Sequence, residues 1–370
     1  MKRSSGKVVA RAVGGAGLVA AALAAPTVAG LPTAAAQQGT GGANSCSPRV
    51  TANAFSDALD KTVVGGVTLG GLSAMTPDRR PGTWSAIVDN RATEPSRIWT
   101  FTDTKNPVVA GDPLVLKRPD GAPYDGATAD NEGLVVLPGG DYLVSSESEP
   151  SIRVFGRDGV QTSALDVPAR FGVTGRTPEG EATANATLEG LAIAPSGRQV
   201  IAAMEDALSG DGDATLHRFL VYDRDRRGGW VLSRQIAYRA APGRRVPEVA
   251  AYRDGSLLVQ EASFAAATGN HVELYAVPNA LRATDVTGWD DLSLAPAGVV
   301  APKQFVADIT ACPSLGATAK QPQINPLLDN YEGMAVTGGR HGAHTVTLIS
   351  DDNFGATQIT RILTLTARLP

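Results

Sequence analysis

The chain is predicted to be all-β: a β-propeller of five or six four-stranded blades, its ring closed by an N-terminal strand. Three observations predict this. A hairpin with a carboxylate at each end recurs along the chain, the copies are evenly spaced, and no segment sustains a helical period. Glu132 to Glu189 is 57 residues and Glu189 to Glu248 is 59. Repeats of four short strands at this period suit a propeller, in which each blade covers its neighbours' faces.

The first 36 residues read as an export signal. Lys2, Arg3, Lys7 and Arg11 form its positive region, Ala12 to Ala25 its apolar stretch, and Ala34-Ala35-Ala36 suits cleavage before Gln37. The apolar stretch is rich in Ala and Gly and falls short of the ~20 apolar residues a membrane-spanning helix needs. No Cys stands at the cleavage point to carry a lipid. The expected product is secreted, with no membrane span, and monomeric. It comprises a flexible leader over 37–48 and a single domain over 49–370.

Loss of the signal removes four positive charges and no negative one, taking the formal net charge from −4 to −8. That makes a poor nucleic-acid binder, which needs a basic face, and no nucleic-acid partner is expected. It suits a cation, or an anionic small molecule bridged by one. In an oxidising compartment the two cysteines, Cys46 and Cys312, are most simply a disulfide. No His or Cys lies at ligand spacing beside either.

The modules follow in order. The first begins at Gly70-Gly71-Leu72-Ser73, turns near Arg80-Pro81-Gly82 and ends at Asp89. The second runs from Glu132-Gly133-Leu134 through Gly139-Gly140 to Glu147, and continues with strands over 151–155 and 160–167. Glu189-Gly190-Leu191 leads through Ser196-Gly197 to Glu205, and Glu248 through Asp254-Gly255 to Glu261. The last runs from Glu332-Gly333-Met334 through Gly338-Gly339 to Asp351-Asp352. Between the fourth and fifth an insertion carries Cys312, and a sixth, degenerate blade has room over 265–330. The last module lacks a strand, which residues 49–69, including Val63-Val64 and Val67-Thr68-Leu69, are placed to supply. A Cys46–Cys312 bridge would staple that latch.

With Asp130-Asn131-Glu132-Gly133-Leu134, Ser145-Ser146-Glu147, Leu188-Glu189-Gly190-Leu191 and Tyr331-Glu332-Gly333-Met334 followed by Ser350-Asp351-Asp352-Asn353-Phe354, the chain resembles the "esterase-like activity of phytase" family, secreted propellers similar to phytases. The resemblance covers roughly residues 65–370 and implies a calcium-dependent hydrolase of phosphoesters or related esters. Two departures stand out: Gly70 where the first module should carry Glu, and Val249 where a Gly should follow Glu248. The acidic ring is therefore expected to be lopsided, strongest near Glu132, Glu189 and Glu332.

The residues point the same way. In a propeller the first strand of each blade lines the axis, so Glu132, Glu189, Glu248 and Glu332 should converge there. Glu147, Glu205, Glu261, Asp89, Asp351 and Asp352 end the second strands, one strand spacing of ~4.8 Å outward. Clustered carboxylates do not all stay ionised without a counter-charge. Hard oxygen ligands without His or Cys favour Ca²⁺, with Asn131, Asn330 and Asn353 as neutral donors. Glu147 or Glu205 is the expected general base, and Arg97 or Arg153 the expected clamp on a phosphoester or ester substrate. Serine catalysis is disfavoured: there is no G-x-S-x-G, and His217, His271, His341 and His344 do not recur in the repeat. Two alternatives remain at this stage, a non-catalytic calcium-stabilised propeller binding a ligand or envelope component, and a metal-dependent lactonase similar to gluconolactonases.

Overall fold

The computed structural model describes residues 44–89, 92–340 and 342–370, the Arg340 side chain apart. The expected export signal, the leader up to residue 43 and His341 lie outside the described residues.

Five antiparallel sheets form five blades. Blade one holds Leu72–Pro77, Thr83–Val88 and Arg97–Thr102, with Val108–Val109 and Leu114–Val115 both pairing on the third strand. Blade two holds Asn131–Val136, Tyr142–Ser146, Ser151–Phe155 and Gln161–Leu165. Blade three holds Leu188–Ile193, Gln199–Met204, Leu216–Arg224 and Trp230–Arg239. Blade four holds Arg245–Arg253, Ser256–Ala265, Gly269–Val277 and Gln304–Asp308. Blade five holds Tyr331–Arg340, Ala343–Ser350 and Ile362–Arg368, extended by Val50–Ser56 and then Ser45–Ser47.

The room for a sixth blade is thus used otherwise. Residues 269–277 and 304–308 complete blade four, and the chain between them is a long loop with short 3-10 turns. Within the expected latch, only Val50–Ser56 joins the last sheet, and Ser45–Ser47, from the stretch expected as a flexible leader, pairs on its outer edge. Val63–Val64 and Val67–Thr68 pair with each other in a separate small hairpin. Cys46 is disulfide-bonded to Cys312 across 266 residues, tying the edge of blade five to the segment leaving blade four.

The inner strands read as continuous apolar runs because both faces of each blade are covered by neighbours. Gln199–Met204 is buried at every position after the first, whereas the outer strand Gln161–Leu165 exposes three residues in a row. Each interface between successive blades has its own apolar cluster. Leu143, Leu188 and Val200 join blades two and three, Phe219, Val249 and Val259 join three and four, and Leu72, Trp99 and Ile349 join five and one.

The first strands of successive blades touch around a closed ring. Each begins with a β-bulge: the pairing slips between Leu72 and Ala74, Asn131 and Leu134, Leu188 and Leu191, Arg245 and Glu248, and Tyr331 and Gly333. A bulge inserts one unpaired residue and re-aims side chains. It also brings backbones close, which explains the glycine after each Glu. A Cβ on Gly133 would stand 2.5 Å from the Glu189 carbonyl oxygen, and one on Gly190 2.8 Å from the Glu248 Cα.

Two outcomes are expected. Gly133→Ala should lower stability by about 1–3 kcal/mol, the usual range for overpacking, because the obstruction is backbone. Cys46→Ser should cost about 2–5 kcal/mol, as loss of a native bridge closing a long loop does. Midpoints of guanidinium denaturation check both, and an unchanged midpoint for either variant contradicts the corresponding account.

Candidate metal centre at the acidic mouth

The bulges define which residues are equivalent. The residue just after the last paired position is Ser73 in blade one, Glu132 in two, Glu189 in three, Val246 in four and Glu332 in five. Opposite them, the residues that follow the second strands' pairing are Asp89, Glu147, Glu205, Ser263 and Asp351. A recurring backbone bond confirms the alignment in four blades: the N–H of Asp89, Glu147, Glu205 and Asp351 donates to the carbonyl of Gly71, Asp130, Thr187 and Asn330 respectively.

Two sequence-based equivalences shift as a result. Ser73, not Gly70, takes the Glu position of blade one. In blade four Val246 and Ser263 stand where Glu248 and Glu261 were expected, each two residues away. A strand's side chains alternate and a bulge resets the phase, so a small misalignment redirects a side chain altogether. Glu248 turns into the wall between blades, where its carboxylate accepts the N–H of Leu191 and of Val249, both at 2.9 Å. Glu261 turns towards blade three, accepting from Tyr238 Oη at 2.5 Å and Ala241 N at 2.9 Å, and pairs with Lys303.

The remaining carboxylates meet. A cavity of about 400 Å³ at one mouth of the ring is lined by Asp89, Asp130, Glu132, Glu147, Glu189, Glu205, Glu332 and Asp351, with Asn185, Asn330, Asn353 and Arg245. Oxygens of Asp89, Asp130 and Glu132 lie within 4.8 Å of one another, as do those of Glu132, Glu147 and Glu189. Ser73 Oγ sits 2.5 Å from Glu132 Oε2 and 3.1 Å from Glu332 Oε2, joining two blades' acids. These donors are hard oxygens carrying negative charge, and they fit a Ca²⁺-like cation.

Burial and crowding make several of these carboxyls hold on to their protons. Burial, a hydrogen bond with Asp130 and the charges of Asp351, Asp130 and Glu332 push Asp89 up to about 10. Burial and neighbouring Glu205 push Glu147 up to about 8, although the Thr187 N–H donates to its Oε1 at 2.6 Å. Glu132 and Glu189 are raised well above the ordinary carboxyl range, by burial first and then by each other's neighbourhood of acids.

Arg245 is the cation built into the mouth, and sequence reading missed it. Its guanidinium donates to Glu205 Oε1 at 2.7 Å, Asn330 Oδ1 at 2.9 Å and Glu332 Oε1 at 3.0 Å, and lies 3.7 Å from Glu189. Burial alone would lower its pKa, but Glu332, Glu205 and Glu189 outweigh that and raise it. The signal available was an Arg three residues before Glu248, legible only once the bulge register is known.

Three further expected residues lie elsewhere. Asp352 accepts the N–H of Gly71 at 2.7 Å and of Phe354 at 3.0 Å and pairs with Lys61, so it ties blade five to blade one. Arg97 pairs with Glu94 at 2.8 Å and donates to the Pro95 carbonyl. Arg153 stacks over Tyr124, 4.9 Å from the ring centroid. Among the histidines, His217 is buried with its ring at the Met204 carbonyl, and His344 packs edge-on against Tyr252. His271 gathers with Glu273 and Asp308 on the outer strands of blade four, where Arg244 already occupies the ring nitrogen and pairs with Glu273.

The family model described as "Phytase-like: Esterase-like activity of phytase" matches residues 67–354. No curated protein matches the chain by sequence. Among solved structures, a protein of unknown function from Dyadobacter fermentans aligns over 87% of this chain and 100% of its own, at 10% identity and a TM-score of 0.44. An α-L-arabinofuranosidase from Clostridium thermocellum aligns over 75% and 82% at 13% identity and 0.43. A PQQ-bound aldose sugar dehydrogenase from Streptomyces coelicolor aligns over 85% and 90% at 12% and 0.36. Likenesses this loose carry no argument about activity.

The raised carboxyl pKa values set a pH dependence. A carboxyl titrates near 4 in the unfolded chain, so between about 4 and the folded values of about 8 and 10 for Glu147 and Asp89 the native state binds more protons. Stability from these groups is fully present below pH ~4 and is lost as pH rises through the folded values. In chelator the melting temperature should therefore fall between pH 6 and pH 9, and Ca²⁺ should remove most of that fall by replacing the protons. A melting temperature that rises over this interval in chelator would refute the electrostatic account of the mouth.

Proposed function

The chain belongs to the phytase-like family, esterase-like activity of phytase, and from that premise we propose that it is a secreted Ca²⁺-dependent hydrolase of phosphoesters or related esters, acting at the acidic mouth. The observation that carries this reading is the convergence of eight carboxylates from four blades around one arginine in a cavity open at the mouth of the ring. Export is supported by the Cys46–Cys312 disulfide.

Asp89 and Asp130 on one side of Glu132, and Glu189 on the other, would hold the cation. Bound there, it supplies polarisation of a phosphoryl or carbonyl oxygen and neutralises the developing charge. Glu147 is the better general base of the two expected. Its Oε1 is oriented by the Thr187 N–H, whereas Glu205 is committed to Arg245. Glu147 takes a proton from water as the water oxygen joins the phosphorus or carbonyl carbon. The ester bond to the alcohol oxygen breaks, and the alcohol leaves with that proton. Arg245, held in place by Glu205 and Glu332, presents N–H donors on the cavity wall and takes the role expected of Arg97 or Arg153.

The burial of Glu132, Glu147 and Glu189 favours a second reading, in which the cation only ties the blades together. One set of measurements separates them. Hydrolysis of p-nitrophenyl phosphate or p-nitrophenyl acetate should appear with Ca²⁺ and vanish in chelator. Glu132→Gln and Glu189→Gln should each weaken Ca²⁺ binding at least tenfold by calorimetry, and Glu147→Gln should lower kcat about a hundredfold or more, the scale of a lost general base. Chelation that lowers the melting temperature while neither ester is ever hydrolysed supports the second reading. Unchanged calcium affinity and thermal stability in both glutamine variants sinks the metal site itself.

A further inference from the structure

A cavity of about 810 Å³ lies beside the acidic mouth between blades three and four. Arg245 lines both cavities and so stands on the wall between them. The next residue along from Glu205 is Asp206. At the bend that follows the strand, Glu205 lines the mouth and Asp206 lines the larger cavity.

The lining of this cavity describes what it can take. Among the described residues no hydrogen bond or ion pair reaches the Asp206 carboxylate, which is half-buried and open to the cavity. Ser209 adds a hydroxyl. Phe264 stands at the rim with 59% of its surface exposed. A free carboxylate beside an exposed ring is a pairing that receives a hydroxylated body with one apolar face. The cations are already engaged: Arg244 by Ser263, His271 and Glu273, and Arg245 by Glu205, Asn330 and Glu332. The other nearby acid, Asp213, is held by Arg239 at 2.7 Å and by Thr215. A second phosphate on the substrate would therefore meet the open Asp206 carboxylate, with Arg244 engaged and Arg245 given to the ester group at the mouth.

We propose that this cavity is the subsite for the alcohol portion of the ester, and that it takes a neutral, polyhydroxylated alcohol, a sugar or polyol bearing a single phosphoryl or acyl group. Asp206 accepts its hydroxyl hydrogens, Phe264 covers its apolar face, and the ester group passes Arg245 into the acidic mouth. On hydrolysis the alcohol released into this cavity carries the proton taken from water. The inference rests on the hydrolase reading above and narrows it.

The test compares the whole protein and its Asp206→Ala and Phe264→Ala variants in Ca²⁺ buffer. The substrates are glucose 6-phosphate, phosphoethanolamine, inositol hexakisphosphate and p-nitrophenyl phosphate; where only acyl esters are turned over, glucose 6-acetate and p-nitrophenyl acetate replace the first and last. The unaltered protein should have its highest kcat/KM among the first three on the glucose ester. Asp206→Ala should lower the ratio of kcat/KM on the glucose ester to that on the p-nitrophenyl ester about tenfold, chiefly through KM, and Phe264→Ala severalfold. An unchanged ratio in Asp206→Ala overturns the proposal, as does a preference for the amine or the hexakisphosphate. Failure to hydrolyse any ester sinks the hydrolase reading alone. The cavity is then judged by saturation-transfer NMR with glucose 6-phosphate: a signal lost in Asp206→Ala at unchanged melting temperature upholds the subsite, and no signal from the unaltered protein overturns it.

Discussion

Everything at the acidic mouth depends on how closely five inner strands approach one another. Their contact forces a bulge at the start of each strand and a glycine where neighbouring backbones meet, as at Gly133 against the Glu189 carbonyl. The bulge then points the preceding side chain at its counterparts in the adjacent blades. Charge repulsion opposes this gathering, and the apolar interfaces between blades hold it in place. The mouth is thus an electrostatically unfavourable arrangement imposed by packing, which is the condition under which a bound cation stabilises a fold as well as serving chemistry.

Not every buried carboxylate belongs to that arrangement. Glu248 is raised well above the ordinary range by burial, and the backbone N–H groups of Val249, Leu191 and Met334 offset this only in part. These donors come from three successive blades, so Glu248 joins blades three, four and five at their inner ends. Asp352 does similar work between blades five and one through Gly71 and Lys61. Chemically these acids resemble the mouth residues. Their neighbours differ: backbone N–H groups and Lys61 for one set, and chiefly other carboxylates for the other.

The ring is repeated in backbone but not in chemistry. Blade four breaks the pattern, with Val246 and Ser263 at the two acid positions and Arg245 immediately before them. That break gives the mouth its built-in cation and opens the larger cavity beside it. Blades two and three supply the densest carboxylate pairings, and Glu332 of blade five is turned to Arg245 and Ser73. The carboxylate oxygens that lie within 4.8 Å of one another accordingly centre on Glu132, with Asp89 and Asp130 in one group and Glu147 and Glu189 in the other.

The hairpin with an acid at each end was legible in the sequence because it is local: turn glycines, strand alternation and a spacing near 57 residues are properties of short stretches of chain. They were enough to predict the all-β class and the propeller and to mark Glu132, Glu147, Glu189, Glu205, Asp89, Glu332 and Asp351 as one group, while the pairing of Cys46 with Cys312 followed from their being the two cysteines of the chain. The blade count, the split of Glu248, Glu261 and Asp352 from that group, and the arrival of Arg245 within it were decided by tertiary structure. Each depends on a bulge phase or on a contact between blades, because a bulge resets the alternation of side chains and turns a carboxylate near it to a different wall.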